Sequence, residues 1–136
     1  MSQVKALEML VNATRLLASD AEVQAGVFPD FVQVPDELAL NFDDAFRLSD
    51  QLEAGGQLTR QQVEALERVD KLLEEMTSRH ETALWTLEAL RGSREWQAIR
   101  AEARSALDAL RVDMGPPSTE GITYVQGGQS DTSEGG

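Results

Sequence analysis

Few residues in this 136-residue chain have the type and spacing that chemistry requires. There is no cysteine and a single histidine, His80. Disulfides, thiolate catalysis and cysteine-held metal are excluded, as are most Ser–His designs with a second histidine partner. His80 falls in phase with an apolar stripe, which predicts a half-buried structural side chain. A di-iron bundle site would need Glu three residues before the histidine, and position 77 is Thr. Neither G-x-x-x-x-G-K-[ST] nor G-x-G-x-x-G occurs, so nothing supports a glycine loop around phosphates. Carboxylates alone could hold Mg2+ for nucleotide hydrolysis. Glu64, Glu67, Asp70 and Glu74 are spaced along one helix, but Arg60, Arg68 and Lys71 are interleaved with them, the pattern of a solvated face with i,i+4 pairs. The acids between Asp36 and Asp50 lack the glycine-turned spacing of a Ca2+ loop. We expect no catalytic residue, no cofactor and no metal.

The informative stretch is 28–53. All four phenylalanines, Phe28, Phe31, Phe42 and Phe46, lie there among Asp30, Asp36, Glu37, Asp43, Asp44 and Asp50. The whole chain carries 24 acids against 12 bases, a net charge of −12. That excess is local. Residues 20–53 hold nine acids and only Arg47, a net −8. Residues 54–111 hold ten acids and nine bases, the near-balance of an ordinary solvated helical surface. Residues 112–136 add Asp113, Glu120, Asp131 and Glu134 with no base. Concentrated charge costs self-repulsion and raises association rates with a basic partner. Aromatics beside carboxylates also have the anchor-and-rim make-up of tight interfaces. The candidate partner-binding residues are therefore Asp36, Glu37, Asp43, Asp44 and Asp50 for steering and ion pairs, with Phe31 as the anchor. Phe42 and Phe46 fall on an inward helical stripe, and loop residue Phe28 is expected to pin the loop to the core.

Four helices must position these groups. The first runs over 2–19, with Val4, Leu7, Leu10, Val11, Thr14, Leu17 and Ala18 on one face. Residues 20–34 lose that period and contain Gly26 and Pro29, which predicts an ordered loop. The second helix spans 36–54, opened by Pro35 with Asp36 and Glu37 at its positive end and closed by Gly55-Gly56. Its inward stripe is Leu38, Phe42, Ala45, Phe46, Ser49 and Leu52. The third begins after Thr59, whose spacing to Gln62 is that of a capping box. The spacing of Val63, Leu66, Val69, Leu73, Met76, His80, Ala83, Leu87 and Leu90 favours one long helix over 60–91, with a break near 77–78 as the alternative. Gly92 and Ser93 separate it from a helix over 94–111 that turns Trp96, Ile99, Ala103, Ala106, Leu107 and Leu110 inward. Residues 112–136, rich in Gly and Ser, are expected to be a disordered acidic tail. The expected fold is an all-α, four-helix bundle-like domain over 1–111.

No apolar run approaches a membrane span, and the opening MSQVKALEML does not have the pattern of a secretory signal, so we expect a cytoplasmic protein with no membrane partner. Phosphate repels an acidic surface, so nucleic acid is not an expected partner. In size, acidity, helicity and lack of cysteine the chain resembles bacterial immunity or antitoxin proteins. That resemblance implies a non-enzymatic inhibitor that covers the cationic cleft of a basic nuclease. The run LWTLEALRGSREWQAIRAEARSALDAL also looks like the C-terminal part of small helical proteins of GC-rich bacteria, which implies no activity. A structural subunit is the alternative: a homodimer formed through the 60–91 helix, with Leu72, Leu84 and Trp85 as surplus apolar positions.

Overall fold

Apolar residues at three- and four-residue spacing dictate helices, and the computed structural model, which describes residues 3–29 and 31–111, contains no strand among them. The elements are α1 (Gln3–Ala18), α2 (Ala21–Gly26), α3 (Val34–Phe46), α4 (Ser49–Ala54), α5 (Arg60–Ser78), a 3-10 turn (Thr82–Trp85), α6 (Leu87–Gly92) and α7 (Arg94–Leu110). The four long helices close a ring. α1 packs on α3 and α7, α7 packs on α5, and α5 returns to α3, where the seam is the thinnest of the four. Their inward faces form one core that includes Leu10, Leu17, Leu38, Phe42, Leu66, Val69, Trp96 and Ile99. The protein is an all-α helical bundle. The tail expected over 112–136 lies outside the described residues.

Local signals account for several boundaries. The Thr59 hydroxyl accepts from Gln62 N at 3.1 Å while the Gln62 side chain accepts from Thr59 N at 2.9 Å, a complete capping box. Ser93 accepts from Trp96 N at 3.1 Å and opens α7. Gly56, at φ +83°, supplies the left-handed residue that ends α4.

Three expectations are corrected. The stretch 20–34 is not all loop: it holds α2, whose buried Gln24 donates to Leu16 O at 2.9 Å and Leu17 O at 3.0 Å. A six-residue helix is too short to persist alone, so its anchor is tertiary: the carbonyls left open at the end of α1 need donors. The helix expected over 36–54 is divided at Arg47 and Leu48 into α3 and α4. The continuous helix favoured over 60–91 is not formed: α5 ends at Ser78, at the break near 77–78 that was the alternative. There Thr77 and Ser78 bend their hydroxyls back to Leu73 O and Glu75 O, and His80 takes the left-handed conformation at φ +54°. A second start follows at Thr86, which accepts from Ala89 N. The break changes the phase of the apolar stripe. Leu84 enters the core, where its carbonyl accepts from Trp96 Nε1 at 2.7 Å, while Ala83 and His80 face out. His80 is thus an exposed turn residue and not a half-buried one.

Candidate functional site

The thin seam of the ring is also where the surface is concave. An open groove of about 1070 Å3 runs between α3 and the C-terminal half of α5 and reaches the turn that follows. From α3 come Asp36, Ala39, Leu40, Asp43 and Phe46, at helical spacings that form one stripe. Ten steps of ~1.5 Å from Asp36 to Phe46 make that stripe about 15 Å long. From α5 come Asp70, Leu73, Glu74, Thr77 and Ser78, and from the turn His80, Thr82 and Trp85. Ala39, Leu40, Phe46, Leu73 and Trp85 provide an apolar surface, and Asp36, Asp43, Asp70 and Glu74 line it with carboxylates. Phe46 is held by stacking on buried Phe42, centroids 5.6 Å apart, and Trp85 meets Trp96 edge-on at 5.9 Å. Leu40 is 58% exposed and has the groove as its surroundings. The negative end of the α5 dipole, at Ser78, adds to the potential of the carboxylates there.

The acids of segment 20–53 divide into two groups. At its ends they are neutralised by bases that follow it in the chain: Asp20 by Arg104 at 2.8 Å, Glu22 by Arg91 at 2.7 Å, and Glu53 by Arg60 at 3.4 Å. In its middle, Asp36, Glu37, Asp44 and Asp50 form no ion pair among the described residues, and Asp43 meets only its neighbour Arg47 at 3.1 Å. Asp30 lies outside the described residues. Two of the sequence-predicted residues, Asp36 and Asp43, line the groove. Glu37, Asp44 and Asp50 lie outside its lining, as does Phe31, which is 55% exposed.

The carboxylates of α5 differ along its length. Arg60 bridges Glu64 and Glu67, and Arg68 meets Glu102, as a solvated face would. Asp70 and Glu74 pair with no base among the described residues, although Lys71 lies between them. Partial burial pushes the Asp70 carboxyl above the usual range, and the nearby charges of Glu74, Asp43 and Glu67 push it the same way. Ionised Asp70 is therefore held in an unfavourable, electron-rich setting that a cation would relieve.

From sequence, Asp70 and Glu74 read as a solvated face and His80 as structural, Trp85 entered only as a dimer position, and Leu40 had no assigned role. Two signals were present. Leu40 lies off the inward stripe of its helix, and Asp70–Glu74 is a like-charge pair at i,i+4. Of the positions offered as surplus for a dimer, Leu84 is buried in the core, while Leu72 and Trp85 are partly buried against it, Trp85 edge-on to Trp96. No three His, Asp or Glu side chains among the described residues are grouped to hold a metal ion, so a Mg2+ site has no donor set there to build on. None of the described helices is long and apolar enough to cross a membrane. Comparison with protein-family models, with curated proteins and with solved structures finds no match for this chain.

Proposed function

We propose that the protein is a non-enzymatic binding module that engages a basic protein surface through the acidic side of α3 and the groove beside it. The observation that carries this is the division of ion pairs. Arg60, Arg91 and Arg104 reach the ends of the acidic segment, while among the described residues the carboxylates along α3, together with Asp70 and Glu74, pair with no base beyond Arg47 at the end of α3 itself. Unneutralised acids beside an apolar surface with exposed Leu40 have the composition of a recognition surface. Phe31, exposed just before α3, adds an aromatic contact at the edge. An immunity or inhibitor role, in a bacterial cytoplasm and against a basic enzyme, is the most concrete form of this function.

Charge reversal tests it. Asp36, Glu37, Asp43, Asp44 and Asp50 are changed together to Lys, cooperative unfolding is verified, and the variant is compared with the natural chain in co-purification. A basic protein that accompanies the natural chain and is lost from the variant is the expected result. If the same partner is retained at low salt, the acidic face is not the binding surface.

A further inference from the structure

From the shape of the groove we infer that its occupant is a single amphipathic, basic α-helix of the partner protein, laid between α3 and α5 with its apolar stripe on Leu40, Phe46 and Trp85 and its Lys or Arg side chains against Asp36, Asp43 and Glu74. This occupant presupposes the acidic-face binding proposed above and specifies how that binding is made.

The groove has helical walls. A stripe of about 15 Å on α3 matches about ten residues, or nearly three turns, of a docked helix. Helices pack at separations of ~8–10 Å by seating ridges of side chains in grooves. Ala39, the small residue on the α3 stripe, lets such a ridge approach closely between Asp36 and Asp43. The ring already has dense seams at α1/α7 and α5/α7, and a helix in the α3/α5 seam would complete the one that is thin. Charge selects the kind of helix. Carboxylates flank the apolar residues from both walls, and among the described lining residues His80 alone can carry positive charge. An acidic or neutral helix would bury or crowd these charges without pairing them, whereas Lys and Arg beside a leucine stripe pair them at the rim. A second copy of this chain brings its own net charge of −12, which opposes self-docking at an acidic surface.

Two synthetic peptides of identical composition provide the test. In one, leucines at i, i+3, i+4 and i+7 form a stripe with lysines and arginines opposite. In the other, the leucines are dispersed so that no stripe exists. Binding is followed by Trp85 fluorescence and by amide chemical shifts of the full-length chain. The striped peptide should bind at least about tenfold more tightly, with shift changes concentrated on 36–46 and 70–85. Leu40→Lys, at an exposed position, should weaken the striped peptide by about tenfold or more and leave the unfolding midpoint nearly unchanged. Glu74→Gln should weaken it several-fold at low salt and less at high salt. Equal binding of the two peptides, shifts on α4 in place of the groove, or spermine displacing the striped peptide at equal concentration of charge would each overturn the helix-in-groove mode. In those cases the broader acidic-face proposal stands if charge reversal still removes the partner, and it falls with the groove if reversal does not.

Discussion

The junction of α1, α2 and α7 and the seam between α3 and α5 both place charged side chains at partly buried positions, and they resolve the problem in opposite ways. At the junction the charges are used up by the fold. Arg104 donates to Ala18 O and Asp20 at 2.8 Å each, Gln24 donates to two carbonyls of α1, and Arg100 donates to Gln24 Oε1 at 3.1 Å and Leu90 O at 2.8 Å. Even there satisfaction is incomplete, because the Arg100 Nε is buried without a hydrogen-bond partner among the described residues. Burial, with Arg104 adding to it, pushes the Arg100 guanidinium below its usual range while Asp20 opposes the shift. At the α3/α5 seam, by contrast, Asp36, Asp70 and Glu74 line the groove and form no ion pair among the described residues. One acidic segment is thus treated in two ways: bases from elsewhere in the chain pair with its ends, and among the described residues the acids of its middle are paired only at Asp43, by neighbouring Arg47.

The largest expected effect lies at the junction. Gln24→Leu would take the side-chain donor from Leu17 O, leave Leu16 O with only the long bond from Ser19 N at 3.3 Å, and remove a partner of Arg100, costing about 2–3 kcal/mol in urea unfolding. Arg104→Ala removes the bonds to Ala18 O and Asp20 and should cost about 1–2 kcal/mol, less because its side chain is half exposed. Asp70→Asn at the seam should act in the opposite direction. A carboxyl whose folded pKa is raised is free of penalty below its unfolded value and increasingly destabilising as pH rises through the folded one. The Asn variant should therefore match the natural chain in strongly acid solution and exceed it at neutral pH, by under about 1 kcal/mol once solvent screening is allowed for. Thermal melts across that pH range read the sign. A loss at neutral pH would make the seam structural and erase the contrast. The smallest effect is expected for Arg47→Ala, whose pair with Asp43 joins side chains that are 71% and 50% exposed, and which should move stability by no more than about 0.5 kcal/mol.

Much of the fold was legible because its signals are local. The capping box at Thr59, the cap at Ser93, the glycines after α4 and the stripes of α3 and α7 are each written within one or two turns of chain. Trp96, Ile99, Ala103, Ala106 and Leu107 are buried as their spacing predicts. The break after Ser78 was harder, since the stripe carries its phase as far as Leu90 with no Gly or Pro. The chain leaves the helix through a histidine at positive φ, a conformation with no compositional signature as strong as glycine's. α2 was invisible for a different reason: its stability comes from Gln24 reaching α1, not from its own residues. The candidate site was half legible. The acidic excess and Asp36 and Asp43 could be read, but which acids would be neutralised depends on contacts as distant as Glu22 with Arg91, 69 residues apart. Only the folded chain decides that.

The bond from Arg104 to Ala18 O joins residues 86 apart, and it caps the first of the described helices. Such a distant closure makes the order of folding asymmetric. α1 can be outlined early, but its last turn has no complete set of donors until α7 has emerged and packed, so the ring is committed late. A fragment ending before Arg94 is accordingly expected to leave the α1 amides open to solvent exchange, with protection restored when the missing helix is supplied as a separate peptide.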